Sequence, residues 1–511
     1  MEEKYNNARL WQIGLFSLNN AATNLYLAMM AYVSYYANSI AGFAAILITM
    51  LVTAMSVFDG ITDPVAGFLL DRMNGRFGKF RPFMFMGNLM MAGSCLLLFL
   101  TTHHIPEVVR LPYFIFIYAV FVIGYTFQTV VGKSGQTVIT DNPVQRPVCT
   151  YFDSLYIMAS YGGVALLVSA YLVPKYDGFT NFMVYFQLVW FVVTLSFVCT
   201  LLAMLGIWEK DRKEFFVGDA VYEKVKLKQY VDIMRNNRPL RNLIFANSVD
   251  RFAATVYSHT AVGVMLFGVM MNNYVLAGLI GIITAIPTLV VVTGGIRVAQ
   301  KWGQKRALVI FTELAIFFQV LMAFVLLRPD VNQIRYGLYL PNTVSILFFV
   351  VFVLLNGCKS VTNNMVVPMI ADCSDYEVTR SGHYVPGIMG ALFSFVDKAF
   401  AALGTAFVGL VLLIVGFGGT FPQVSDPLTP TLKWTILFLY CGVPILGWLV
   451  SLLALHRYEL DKKAMHKVQI EKSYISMQRR AERLERKRER KLVREGYLES
   501  KKERKQTKKM K

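Results

Sequence analysis

The chain has 511 residues, of which 55% are hydrophobic and only 16% charged, with a mean hydropathy of +0.48; an average soluble domain carries about 25% charged residues. Residues 456–511 hold 21 of the 51 Lys and Arg and 9 of the 32 Asp and Glu, leaving 30 basic and 23 acidic side chains for residues 1–455. So few charges cannot cover a soluble fold of that length, which excludes an ordinary cytosolic enzyme, a disordered chain and a secreted disulfide scaffold, and leaves a polytopic membrane protein of roughly a dozen helices of ~20 residues.

Glu2 and Glu3 make a poor start for a signal peptide, and the first apolar run is too long for one, so it is expected to remain as a spanning helix. Apolar runs of spanning length follow over 9–37, 42–70, 82–103, 112–133, 151–173 and 181–207, then 241–268, 274–298, 307–327, 343–370, 385–416 and 432–456. Most lack the alternation of barrel strands, so an all-α bundle of twelve transmembrane helices is expected. The expected domains are a six-helix half over 1–207, a central cytoplasmic loop over 208–240, a second half over 241–456 and a basic tail over 457–511.

Loop charge predicts the orientation. Arg72, Arg76, Lys79 and Arg81 follow the second span, and Arg297, Lys301, Lys305 and Arg306 follow the eighth, while the alternate loops carry little charge. By the excess of Lys and Arg in cytoplasmic loops, both termini face the cytoplasm of a cell-membrane protein. The same two loops read Phe77-Gly78-Lys79-Phe80-Arg81 and Trp302-Gly303-Gln304-Lys305-Arg306, an internal repeat at equivalent positions of two halves.

An ionisable residue at the bilayer centre costs about 2.5–3.5 kcal/mol on insertion scales, so each needs a reason. In Phe58-Asp59-Gly60-Ile61-Thr62-Asp63-Pro64 the two acids are four apart and share a helix face. Like charges at that spacing repel unless a cation lies between them, and Pro64 has no N–H for the Gly60 carbonyl. Asp59, Thr62 and Asp63 therefore read as a cation site; the alternative is two interfacial acids that cap or salt-bridge. No other metal site is expected, and the six cysteines, with no CxxC pair, indicate neither a disulfide framework nor a metal cluster.

Lys398 lies deep in an apolar run and needs an acid, either the Asp59 and Asp63 pair or its neighbour Asp397. Asp250 and Arg251 are expected to compensate each other, the alternative being that they line the cavity. Lys359, with Asn363 and Asn364, is a candidate for the central cavity, where Asn363 is expected to bind substrate. Glu313 and Asp153 read as interfacial salt-bridge residues, and His259 as a satisfied core histidine. Gly132-Lys133-Ser134 looks like the end of a phosphate loop, but Phe127 stands where its first glycine is required. No enzyme signature is present.

Phe58–Pro64, followed by Gly75-Arg76-Phe77-Gly78-Lys79-Phe80-Arg81-Pro82, resembles the signature of the melibiose permease-like glycoside-pentoside-hexuronide:cation symporters of the major facilitator superfamily. Met369-Ile370-Ala371-Asp372-Cys373-Ser374-Asp375-Tyr376, Gly387 and the Lys398 region are similar to that family's later segments. The resemblance implies alternating-access symport of a glycoside, oligosaccharide or hexuronide with Na⁺ or H⁺, and no cofactor. It implies a cation site at Asp59, Thr62, Asp63 and Thr126, with coupling through Lys398. The family's sugar-gripping acids map onto Asn19 and Thr129, its aromatic near Lys133 and its fifth-helix arginine near Thr150. A facilitator of another solute such as a lipid, or a non-transporting receptor on the same fold, are the alternatives. Partners are thus a small solute and the bilayer, with no nucleic acid; the tail, rich in Lys, Arg and Glu from Gln478 to Lys511, is placed to contact anionic lipid.

Overall fold

The structure, a computed structural model, describes residues 8–72, 77–140, 146–211, 235–334, 342–381, 386–471 and 474. In the first half, α1 is Leu10–Met30 with a short continuation Val33–Ser39, α2 Ala45–Arg72, α3 Arg81–Thr101 and α4 Glu107–Ile139; α5 is Arg146–Leu166 extended by a π turn to Lys175, and α6 is Phe182–Ile207. In the second half, α7 is Arg238–Ser258 with a bent continuation to Met270, α8 Val275–Trp302, α9 Gln304–Leu327, α10 Thr343–Ser381 and α11 Pro386–Val415; α12 runs from Pro430 to His456 through a π turn. Ten of these helices, and α7 as a bent eleventh, are long and apolar enough to cross a membrane. The twelfth, α1, is less apolar because it carries Gln12, Asn19, Asn20, Thr23 and Asn24.

Helix ends depart from the apolar runs where physics allows it. α4 starts at Glu107, ahead of the run, and passes Pro112. The carbonyl that Pro112 leaves without a donor is that of Val108, which is 90% exposed and can be solvated. α10 continues to Ser381 because its polar end is amphipathic: Cys373, Ser374, Glu377 and Val378 are buried at helical spacing. At the bend of α7, His259 adopts an extended conformation and its Nδ1 accepts from the Ala261 amide at 3.2 Å, capping the second segment. That satisfies His259 as expected of a core histidine.

The packing repeats with a shift of six helices. In the first half α1 packs on α5 and α6, α2 on α4, and α3 on α4 and α6; in the second half α7 packs on α11 and α12, α8 on α10, and α9 on α10 and α12. The halves meet through α2 with α11 and through α5 with α8, two contacts that the same six-helix shift exchanges, since α2 corresponds to α8 and α5 to α11. The loop repeat seen in the sequence is thus the visible trace of a duplicated unit.

At the end of the bundle opposite the basic loops the halves are sealed. The Tyr35 hydroxyl donates to the Pro422 carbonyl at 2.9 Å and Asn38 Nδ2 to the Gly419 carbonyl at 2.8 Å. Tyr35 also stacks between Phe179 and Phe421, with ring centroids 4.6 and 5.3 Å apart. Phe179 meets Tyr274 of the second half at 5.7 Å.

Candidate functional site

The acidic motif lies in the second half of α2, at the end of its apolar stretch, and α2 contacts both α4 and α11. Lys398 reaches from α11 and places its ammonium 2.8 Å from Asp59 Oδ2, both side chains being mostly buried. Lys398 thus pairs across the half interface, with a member of the Asp59 and Asp63 pair, while adjacent Asp397 pairs with Arg251. Gly60 lies against this pair: a Cβ there would stand 3.6 Å from the Phe395 ring and 3.8 Å from the Lys398 side chain, ordinary contact distances.

Thr126, on α4, completes the cluster. Its hydroxyl is 2.8 Å from Thr62 Oγ1 and 3.4 Å from Asp59 Oδ1, and it donates to the Val122 carbonyl at 2.9 Å. The Thr62 hydroxyl donates to the Asp59 carbonyl at 3.0 Å. Asp59, Thr62, Thr126 and Lys398 are therefore brought together as the resemblance implied. The side chain of Asp63 lies outside the described residues, as do those of Lys133 and Thr150 and the segment 475–511.

One helical turn along α4, a cavity of about 330 Å³ opens between α1, α4 and α5, at the lower end of the ~300–1,000 Å³ typical of small-molecule sites. Phe16, Ser17, Asn19, Asn20, Thr129 and Asp153 are among its walls. Asn19 Nδ2 donates to the Gln128 carbonyl at 3.1 Å, and the Thr129 hydroxyl to the Thr126 carbonyl at 3.0 Å, which joins the cavity wall to the acidic cluster. Asn19 Oδ1 and Ser17 Oγ are buried with no hydrogen-bond partner among the described residues. Such atoms lose their solvation without compensation unless something else supplies the partner.

The cavity holds an acid that sequence reasoning had assigned elsewhere: Asp153 lines it, rather than acting only as an interfacial salt-bridge residue. Asn363 is exposed on α10 and is not in this wall. Lys359 is buried, with its ammonium 3.7 Å above the Tyr257 ring, 5.5 Å from Trp448 and 5.9 Å from Tyr440. Cation–π attraction of that kind reaches ~2 kcal/mol when desolvated.

The expected Asp250–Arg251 pair does not form. Arg251 Nε lies 3.3 Å from Asp397, which also accepts from Asn247 at 2.9 Å, while Asp250 accepts from Ser451 at 3.0 Å. Neighbours along a helix point in different directions, so each finds its partner on another helix. Gly132-Lys133-Ser134 lies in the continuous helix α4, so no phosphate loop forms there.

The repeated basic loops are each clasped by the segment that follows their half's last helix. Gly78 and Gly303 both take positive φ, 91° and 93°. Asp211, after α6, accepts from the amides of Lys79 at 2.8 Å, Phe80 at 3.2 Å and Arg81 at 3.1 Å, and pairs with Arg81 Nε at 3.3 Å. Its negative charge thus caps the N-terminus of α3. After α12 the charge is reversed: Lys462 Nζ donates to the Lys301 carbonyl at 2.9 Å, capping the C-terminus of α8, and Lys305 Nζ donates to the Tyr458 carbonyl. Tyr458 is itself buried, which pushes its phenol well above the ordinary range. Nothing short-range in the sequence marks Asp211, because its partners are about 130 residues away.

The profile of the family described as MFS/sugar transport protein matches residues 16–462. A putative glycoside/cation symporter, YagG of Escherichia coli (strain K12), is 25% identical over 452 residues, covering 88% of this chain and 91% of that one. The isoprimeverose transporter of Lactiplantibacillus pentosus is 23% identical over 448 residues, 88% of each chain. Among solved structures, the nucleoside transporter NupG superposes with a TM-score of 0.55 at 11% identity, covering 88% of this chain and all of that one, a likeness of fold alone. With the duplicated twelve-helix bundle and the acidic cluster between its halves, this match over most of the chain shows that the protein belongs to the MFS/sugar transport protein family of the major facilitator superfamily and is a multi-pass membrane transporter rather than an enzyme.

Proposed function

We propose that the protein couples the entry of a Na⁺ ion or proton to uptake of a glycoside or oligosaccharide, with both termini in the cytoplasm. The observation that carries this reading is the Lys398–Asp59 ion pair, formed across the interface of the two halves and beside the cavity. Lys398 plays the part of a cation at Asp59. A coupling ion arriving between Asp59 and Asp63 competes for the same carboxylate, which weakens the hold of α2 on α11. Thr62 and Thr126 supply further oxygens for such an ion.

The solute site adjoins it through α4. A polyhydroxylated solute offers donors for Asn19 Oδ1 and Ser17 Oγ, and its hydroxyls can donate to Asp153 as well. Asp153 thus supplies a carboxylate that Asn19 and Thr129 do not, which favours a neutral glycoside over a hexuronide. The names of the relatives, a putative glycoside/cation symporter and an isoprimeverose transporter, support the same class.

The test is counterflow in proteoliposomes against a panel of glycosides, oligosaccharides and hexuronides, with and without Na⁺ and at several pH values. Exchange of at least one glycoside, enhanced by one of the two ions, is expected. Flux of none of the panel, or flux indifferent to both ions, would overturn the reading.

A further inference from the structure

The end of the bundle that bears the basic loops contains a second cavity, unconnected with the acidic cluster. It occupies about 810 Å³ between the α8–α9 turn and the segment after α12. Its charged lining is strongly unbalanced: Lys301, Lys305, Arg306, His456, Lys462 and Lys463 face only Glu313 and Asp461. A neighbouring cleft of about 710 Å³ shares Lys305 and His456 with it and adds Arg238, Arg241 and Arg457. Lys305 and Lys462 are engaged with backbone carbonyls, and Arg306 lies over the Trp302 ring at 5.3 Å.

The remaining wall is apolar. Leu453 of α12 lines the cavity and is 71% exposed. Leu446 and Leu449 continue the same exposed face of α12 into the membrane. On α9, which packs beside α12, Phe317 and Phe324 form a matching exposed face below Val309 and Glu313. Trp302, half exposed at the mouth, stands where an amphipathic ring favours the interface. Cations at the top of an apolar groove match a molecule with a phosphate head and acyl chains.

We infer that this cavity is a binding site for an anionic phospholipid, the phosphate held by Lys301, Arg306 and Lys463 and the chains lying along the exposed faces of α9 and α12. A soluble organic phosphate shares the head-group chemistry but has no use for the apolar groove, so the two can be separated.

The experiment uses the full-length transporter in phosphatidylcholine vesicles doped with brominated phosphatidylglycerol or brominated phosphatidylcholine. The readout is the part of tryptophan quenching that disappears on Trp302→Phe. Half-maximal quenching should come at about a hundredfold lower mole fraction of the anionic lipid than of phosphatidylcholine, for three basic residues at roughly 1 kcal/mol each. The triple variant Lys301→Gln, Arg306→Gln, Lys463→Gln should lose that preference, while Lys301→Arg with Lys463→Arg should keep it, which separates charge from misfolding. Equal quenching by the two lipids, or a preference untouched by the Gln variant, overturns the site. Displacement of the brominated lipid by millimolar glycerol phosphate overturns the lipid assignment.

Discussion

Lys398 and Asp59 stand on α11 and α2, one of the two helix pairs through which the halves touch, and their 2.8 Å ion pair is a bond between halves made of two groups that are each expensive to leave alone in a membrane. Any event that neutralises Asp59 therefore acts on the interface directly.

Replacing Asp59 by Asn should abolish ion-dependent accumulation while leaving insertion intact. Lys398→Ala should also lower accumulation but leave solute exchange without a gradient, because exchange needs no net return of the ion. One charge driven by 100 mV supplies about 2.3 kcal/mol, roughly fifty-fold accumulation, and this is the range to be lost. Uptake against an imposed ion gradient in vesicles makes the comparison; full accumulation by Asp59→Asn would assign the coupling ion to another place.

The solute cavity gives a second expectation. Asn19→Ala and Asp153→Asn should each weaken solute affinity about tenfold, since removal of a hydrogen bond to a buried or charged group costs about 1–3 kcal/mol. Asn19→Asp, by contrast, should alter which glycosides compete rather than the amount of protein inserted. Competition counterflow reads both, and unchanged affinities in all three variants would move the solute site off α1 and α5.

A stability difference separates the two clasps. Asp211 is 2% exposed and serves three amides and a guanidinium, so Asp211→Ala should cost about 3 kcal/mol or more. Lys462, whose bond to the Lys301 carbonyl is solvent-exposed, should cost under ~1 kcal/mol when cut to Ala. Thermal unfolding in detergent measures both; equal losses would contradict the buried clasp.

Orientation is checked by single cysteines labelled from outside with an impermeant reagent. Positions 104 and 424, at the sealed end, should react, and position 304, in the basic loop, should not. The reverse pattern would turn the molecule over.

Much of this was legible in the residues. The bilayer sets the length of each span, so each of the twelve apolar runs becomes a helix, most of them ending within a few residues of expectation, whereas α4 and α10 run on into more polar sequence. A lysine inside an apolar run needs an acid, and Lys398 duly found Asp59. What could not be read was partner choice between distant helices. Asp250 and Arg251 look paired on paper, yet adjacent positions on a helix diverge, and their partners Ser451 and Asp397 are set by packing. Asp153 lies in the cavity because of how α5 sits against α1, which no local pattern encodes. Asp211 is an ordinary loop acid until Gly78 is brought beneath it.

Asp397 and Lys398 are consecutive, opposite in charge, and committed to opposite sides: one to Arg251 of α7 in its own half, the other to Asp59 in the other half. The two bonds act as a fixed bearing and a releasable catch on the same rod. On the proposed coupling, an ion that frees the catch leaves the bearing in place, so α11 is expected to travel with the second half while α2 slides past it.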